Sequence, residues 1–185
     1  MVKKNACIFI SGAGTNLKAL IKSSREYNSP INIKLIISST EEAKGLYFAK
    51  IYKIPYYILN LNNQLDIALG LKKLKQNGIS LICLAGYMKI LKSKFINKYN
   101  NKIINIHPSL LPKYKGLDTF RRVLKSKEKV TGCTVHYVNN KIDSGQIILK
   151  KKIYIKENDT ETSLKTRVQQ AEYKTYAEAI IKIFR

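Results

Sequence analysis

The sequence predicts an α/β fold: a single-domain, open, mostly parallel twisted sheet with helices on both faces and antiparallel strands added in the second half. Three observations predict it. Short β-branched runs alternate with helical patterns through the first half of the chain, and such alternation builds a parallel sheet covered on both faces. Two longer strand patterns then follow each other across one short polar loop, a connection too short for a parallel crossover. The 185 residues are 45% hydrophobic and 25% charged, which is enough apolar chain for one core and too apolar for disorder. One domain over residues 1–185 is the expectation.

The elements follow in order. Ala6-Cys7-Ile8-Phe9-Ile10 reads as a buried strand, and Ser11-Gly12-Ala13-Gly14 as the turn after it. Residues 15–24 carry Leu17, Leu20 and Ile21 at helical spacing. Residues 33–37 form a second strand, residues 41–52 a helix, and Pro55 closes the turn that leads to a third strand at 56–59. Residues 64–77 repeat Leu65, Ala68, Leu69, Leu71 and Leu74, an amphipathic helix closed by Gly78. Residues 81–85 and 103–106 are the fourth and fifth strands. Residues 131–138 and 146–155 are two more, joined by a loop at 139–145. Residues 160–184 make a long terminal helix, with Leu164, Val168, Ala171, Thr175 and Ala179 along one stripe.

The net charge of +22 raises nucleic-acid binding through counterion release. The basic residues are 29 Lys and 5 Arg, scattered over nearly every segment. Base readout prefers the arginine fork and a clustered face, so the excess reads as compositional drift and no nucleic-acid partner is expected. A positive field still attracts anionic substrates such as phosphates and polyglutamates. Cys7, Cys83 and Cys133 sit far apart in apolar stretches and read as small core residues, not as a disulfide set or metal site. No apolar run approaches the ~20 residues that span a bilayer. The start, Met1-Val2-Lys3-Lys4, enters a strand at once and lacks a signal-type apolar region. A cytoplasmic protein without a membrane partner is expected.

Three segments carry candidate chemistry. Ile10-Ser11-Gly12-Ala13-Gly14-Thr15-Asn16-Leu17 joins the first strand to the first helix. Its glycines let backbone N–H groups approach an anion at the positive end of a helix. Leu17 stands where the dinucleotide fingerprint needs a third glycine, which disfavours a nicotinamide cofactor, and no Gly-Lys-Ser/Thr follows. In an open parallel sheet, ligands collect at the carboxyl ends of the strands. His107 is there, held extended before Pro108, and Asn105 two residues back projects to the same side. An amide donor beside an imidazole suits a reaction that builds negative charge on a carbonyl oxygen. Asp143 lies in Lys141-Ile142-Asp143-Ser144-Gly145, which by itself is a turn. If that loop folds over His107, its carboxylate raises the histidine pKa and holds the ring ready as an acid. His136 alternates with Thr134 and Val138 on a strand and reads as structural support.

Six segments in this order resemble the phosphoribosylglycinamide formyltransferase family. They are Ser11-Gly12-Ala13-Gly14-Thr15-Asn16-Leu17, Leu84-Ala85-Gly86-Tyr87-Met88-Lys89-Ile90-Leu91, Asn105-Ile106-His107-Pro108-Ser109-Leu110-Leu111-Pro112, Gly132-Cys133-Thr134-Val135-His136, Asp143-Ser144-Gly145-Gln146-Ile147-Ile148 and Arg167-Val168-Gln169-Gln170-Ala171-Glu172. The resemblance implies the formyltransferase fold with a Rossmann-like first half, and transfer of a formyl group from 10-formyltetrahydrofolate to the amine of 5'-phosphoribosylglycinamide in purine biosynthesis. It implies Asn105, His107 and Asp143 as the catalytic trio. Asn105 and a protonated His107 stabilise the oxyanion, Asp143 keeps His107 charged, and proton transfer runs through water. It implies Gly14, Thr15 and Asn16 on the substrate phosphate, and Gln169, Gln170, Ala171 and Glu172 on the substrate, with Glu172 at the ribose. Met88, Lys89, Ile90 and Leu91, with Asn105 and the loop residues Asn139, Asn140, Lys141 and Ile142, frame the folate. No metal is implied, because imidazolium and amide supply the electrophilic stabilisation. The partners implied are the two small substrates, for a monomer or homodimer.

Departures from the family pattern bear on folate affinity. Lys89 stands where the family often has Arg, keeping the charge and losing the fork. A folate-contacting Arg of some members has no counterpart near residues 60–64, and Leu117-Asp118-Thr119-Phe120 replaces a His-containing stretch. Methionyl-tRNA formyltransferases share the Asn-x-His-Pro core but carry a further carboxyl-terminal domain, and formyltetrahydrofolate hydrolases a further amino-terminal one. This length leaves room for neither. A basic nucleic-acid-binding module on a degenerate scaffold would be expected to lose Asn105, His107 or Asp143, and all three are present.

Overall fold

The first strand, β1 (Lys4–Ile10), carries five consecutive apolar residues from Ala6 onward, all buried. A strand that is apolar on both faces needs partners and cover on every side. In the computed structural model of the chain, β1 pairs in parallel with β2 (Ile31–Ser38) and with β4 (Leu81–Leu84), and β2 pairs in parallel with β3 (Tyr56–Ile58). Residues 2–184 are described; Met1 and Arg185, which bound the expected domain, lie outside the described residues. With β5 (Lys102–His107), β6 (Val130–Tyr137) and β7 (Ile147–Tyr154), the strands form a seven-stranded sheet in the order β3-β2-β1-β4-β5-β6-β7. β6 and β7 pair antiparallel. The fold is thus α/β and mostly parallel in its first half, with an antiparallel pair in its second.

The chain divides into two compact units, residues 1–104 and 105–185. In the first, β1 has β2 on one side and β4 on the other, so the winding direction reverses between β1 and β4. Loops leaving such a reversal diverge and open a crevice at the carboxyl ends of the strands. The helices of this unit are α1 (Thr15–Ser24), α2 (Leu46–Ile51), α3 (Gln64–Gln76) and α4 (Ser93–Lys98). Asn63 caps α3 by accepting from the Leu65 and Asp66 amides.

The helix expected over residues 41–52 is only α2. Residues 39–45 are drawn into turns because the Gly45 amide donates to the Gly12 carbonyl at 2.9 Å and Ala43 is buried. α4 was not expected. It is six residues long and is anchored by Phe95, fully buried with its ring edge-on to Phe9 at 5.9 Å.

The second unit holds β6, β7, α5 (Thr119–Lys125) and α6 (Glu161–Phe184), with α6 packed on both strands. α5 was also not expected. The buried stripe of α6 runs through Leu164, Val168, Glu172, Thr175, Tyr176, Ala179 and Ile180. Ala171, expected on that stripe, is half-buried, and Glu172 takes the inward position. Among the described residues no helix is long and apolar enough to cross a membrane.

Candidate active site

The loop after β1 is shaped by one close approach. Gly14 has φ 73°, and a Cβ on it would sit 2.5 Å from the Gly45 Cα. Only glycine fits both conditions. Gly14 is the N-cap of α1 and makes no side-chain cap hydrogen bond. The first-turn N–H groups of a helix have no carbonyl within the helix to receive them, which gives the start of α1 a partial positive charge.

Ser11 joins this loop to two others. Its hydroxyl oxygen accepts from the Met88 amide at 2.9 Å and from the Ser39 hydroxyl at 2.7 Å. The loop after β4 is therefore fixed at its backbone. It turns Met88 and Ile90 outward, 70% and 69% exposed, while Leu91 is buried. Two exposed apolar side chains on an anchored loop suit the face of a flat ring system.

In the second unit, three stretches meet at one carboxylate. β5 carries Asn105 and His107 on one side, and β6 carries His136. The loop after β6 returns Asp143, whose φ is 45°, a conformation that Asp tolerates better than most residues. Gly145 lets this loop close, since a Cβ there would collide with the Tyr137 carbonyl. His107 Nδ1 lies 3.2 Å from Asp143 Oδ2, and His136 Nε2 lies 3.5 Å from Asp143 Oδ1. Asn105 Nδ2 is 3.4 Å from Asp143 Oδ1 and 3.3 Å from His136 Nε2. The Gly116 amide donates to Asp143 Oδ2 at 2.8 Å. The amide, imidazole and carboxylate singled out from sequence are brought together.

Hydrogen-bond partners assign the protons. His107 Nε2 is 2.8 Å from the Tyr114 carbonyl, which can only accept, so Nε2 carries a proton. The same logic places a proton on His136 Nδ1, 2.8 Å from the Tyr137 carbonyl. The protonation states of His107 then differ at Nδ1, the atom that faces Asp143.

The net shift of the His107 pKa is downward, although the expected upward pull of the Asp143 carboxylate is present. Burial, the largest influence, lowers it from its ordinary value, and the opposing pulls of Asp143 and the Tyr114 carbonyl do not offset this. Burial pushes Asp143 the other way, upward. The neighbouring His136, the hydrogen bond from the Gly116 amide and the proximity of His107 outweigh that, and its carboxyl stays below the usual range. Burial thus shifts the ligand-free pair toward a neutral ring, against the pull of the carboxylate it faces.

A sequence profile described as Formyl transferase matches residues 4–180. The chain belongs to the formyl transferase family. Among relatives, phosphoribosylglycinamide formyltransferase of Haemophilus influenzae is 40% identical, across 98% of this chain and 87% of its own length. The human trifunctional purine biosynthetic protein adenosine-3 is 42% identical over 96% of this chain, which spans only 18% of that protein. Crystal structures of phosphoribosylglycinamide formyltransferase from Brucella melitensis and Anaplasma phagocytophilum superpose with TM-scores of 0.92 and 0.89. Their identities are 36% and 39%, and they cover 98% and 95% of this chain and 95% and 84% of their own.

The other residues expected to bind ligands in this formyl transferase take varied positions. Asn139, Asn140, Lys141 and Ile142 are exposed, in a turn where the Lys141 amide donates to Asn139 Oδ1 at 3.0 Å. On α6, Gln170 is exposed, Gln169 and Ala171 are half-buried, and Glu172 is buried. Glu172 faces Cys133, whose thiol is pushed up to about 11 by burial first and by the Glu172 carboxylate in addition. Lys89 is exposed. Among the described residues no group of three or more His, Cys, Asp or Glu could hold a metal ion.

Sequence reasoning placed His136 in a supporting role, and the structure sets it directly against Asp143 and Asn105. Its two-residue alternation with Thr134 was the available signal, since that face of β6 also carries the Thr134 hydroxyl bonded to the Ser109 carbonyl at 2.6 Å. Tyr114 and Gly116 were missed as well. They act through main-chain atoms, which residue type does not reveal.

Proposed function

We propose that this chain transfers the formyl group of 10-formyltetrahydrofolate to the primary amine of 5'-phosphoribosylglycinamide, giving formylglycinamide ribonucleotide and tetrahydrofolate in purine biosynthesis. The observation that carries this reading is the buried cluster of Asn105, His107 and Asp143, in which one ring atom, Nδ1, is left to titrate. The Haemophilus influenzae relative, a phosphoribosylglycinamide formyltransferase, supports it.

The amine nitrogen attacks the formyl carbon, and the carbonyl electron pair moves onto oxygen. Asn105 is held by long contacts of 3.3 and 3.4 Å, so its amide can turn to donate to that oxygen at little cost. Negative charge growing near His107 favours the imidazolium, and Nδ1 takes up the proton lost by the attacking amine, relayed through water, before passing it on as the carrier leaves. Proton uptake is thereby coupled to the step that needs it. Asp143 stabilises the imidazolium and holds its orientation. As the oxyanion collapses, the carbon–nitrogen bond to the carrier breaks, and the proton lost by the amine ends on the carrier nitrogen. Imidazole and amide supply the stabilisation that an acyl transfer requires.

For the substrates, we assign the phosphate to the N–H groups of Gly14, Thr15 and Asn16. The ribose end goes to Glu172, beside Gln169, Gln170 and Ala171. The pterin goes to Met88, Lys89, Ile90 and Leu91, with Asn105 and residues 139–142. The whole span acts as one formyltransferase domain in the cytoplasm, on small molecules, as a monomer or homodimer.

The test is competition between acceptors. The purified chain is given formyl folate with either phosphoribosylglycinamide or charged initiator tRNA. The reading expects transfer to the ribonucleotide. Transfer to tRNA alone, or release of free formate with neither acceptor modified, would replace it.

A further inference from the structure

Two main-chain atoms of one short loop hold both ionisable partners of the cluster. The Tyr114 carbonyl accepts from His107 Nε2 at 2.8 Å, and the Gly116 amide donates to Asp143 Oδ2 at 2.8 Å. The backbone between them is unusual. Tyr114, Gly116 and Asp118 have φ of 57°, 78° and 54°. Non-glycine residues keep this left-handed conformation only where the surroundings impose it.

Those surroundings are supplied by α5. Arg122 Nη1 donates to the Lys115 carbonyl at 2.6 Å and to the Leu117 carbonyl at 3.2 Å. These carbonyls stand on either side of Gly116. The same guanidinium lies over the Tyr114 ring, 5.7 Å from its centre. The Tyr114 hydroxyl donates to Ser126 Oγ at 2.6 Å and reaches Glu128 Oε1 at 3.2 Å. One guanidinium nitrogen therefore fastens both carbonyls while the planar group lies over the ring of the same loop, a combination that a compact, strongly hydrated ammonium does not reproduce.

We propose that Arg122 is a positioning residue for formyl transfer: it fixes the loop whose Tyr114 carbonyl orients His107 and whose Gly116 amide orients Asp143. This rests on the reading of the cluster given above. Arg122 touches neither His107 nor Asp143 and acts through the loop. With the loop fixed, Nε2 keeps its proton and Nδ1 is the atom that exchanges one. The charged and titratable groups bearing on His107 are Asp143 from the loop after β6, His136 from β6 and Arg122 itself, whose charge opposes protonation of the ring.

The charge and the clamp can be separated. Arg122→Lys keeps the charge and loses the planar group that covers the Tyr114 ring. Arg122→Ala loses both, and guanidinium added in solution can return to the vacated place. Lys125→Gln removes a neighbouring charge of α5 without touching the loop. Turnover, KM for each substrate and the pH profile of kcat are measured on the full chain, with melting temperature to establish folding. We expect kcat to fall roughly 10-fold in both Arg122 variants, less than the ~10²-fold that an ångström-scale misplacement can cost. Both KM values should stay near wild type, the acid limb of the profile should move, guanidinium should restore Arg122→Ala, and Lys125→Gln should match wild type. A second readout needs no activity: the His107 Nε2 proton, observed by NMR, exchanges slowly with water in wild type and rapidly in Arg122→Ala.

Wild-type turnover and pH profile in Arg122→Lys would reduce Arg122 to a charge and overturn the proposal. Unchanged Nε2 exchange in Arg122→Ala would overturn it even if that variant were too unstable to assay. If wild type transfers no formyl group, the functional reading fails instead, and the NMR comparison still decides whether Arg122 holds the loop.

Discussion

Replacing Asp143 by Asn isolates what the carboxylate does, because the two side chains have nearly the same shape. In the native cluster one Asp143 oxygen lies 3.2 Å from His107 Nδ1 and accepts from the Gly116 amide, while the other faces Asn105. An asparagine must point its NH₂ at one of these two amide donors, so one contact turns repulsive. The larger loss is charge. At 3.2 Å and an effective dielectric of about 20, attraction between imidazolium and carboxylate is worth roughly 5 kcal/mol. Asp143 is only 11% exposed, so water screens little of this. Each ~1.4 kcal/mol is tenfold in rate, which sets a ceiling between about 10³ and 10⁴. The amide dipole retains part of the attraction, and a fall in kcat/KM of ~10² to 10⁴, the scale of a lost acid–base partner, is expected. The assay follows formylation of the ribonucleotide at saturating folate, with circular dichroism to establish folding. An NMR titration should show the His107 pKa falling further, since Asp143 raises it in the native chain. A folded Asp143→Asn variant turning over near the wild-type rate, with an unmoved histidine titration, would refute the reasoning.

Two further predictions follow from the same geometry. Because the folded His107 pKa lies below its ordinary value of 6.5, the unfolded chain binds more protons in the window below that pH. Stability should therefore rise with pH through that window. His107→Asn should flatten this slope relative to wild type, measured by denaturant unfolding at several pH values, and an identical slope would contradict the assignment. Gly14→Ala forces a side chain into a positive-φ site 2.5 Å from the Gly45 Cα. It should cost about 1–3 kcal/mol of stability, and it should raise KM for the phosphate-bearing substrate while leaving that for folate unchanged.

How much could be read from sequence depended on the range of the interactions involved. β1 was legible because five apolar residues run in a row, and α3 was legible as a helix; its buried face, however, is Ile67, Gly70 and Leu74, and of the expected stripe Leu65 and Leu69 are exposed. The stretch 41–52 was misread because its first half answers to Gly12 and Gly14, some thirty residues away, and not to its own helical pattern. α4 and α5 are too short for periodicity to register, and each depends on buried anchors such as Phe95 and Val123. The pairing of His107 with Asp143 spans 36 positions and rests on the β6–β7 connection, which no local pattern encodes. The resemblance supplied the trio, but the direction of the His107 pKa came from burial, which only the fold reveals. The holding atoms of the site, the Tyr114 carbonyl and the Gly116 amide, belong to the backbone and left no trace in residue type.

The most direct test is the rate of formyl transfer from 10-formyltetrahydrofolate to phosphoribosylglycinamide by wild type and by His107→Asn, with both proteins shown to be folded. The wild-type chain should formylate the amine, and the variant should be slower by ~10² to 10⁴, the usual span for a general acid. A folded His107→Asn chain as fast as wild type would remove the imidazole from the chemistry and contradict the account.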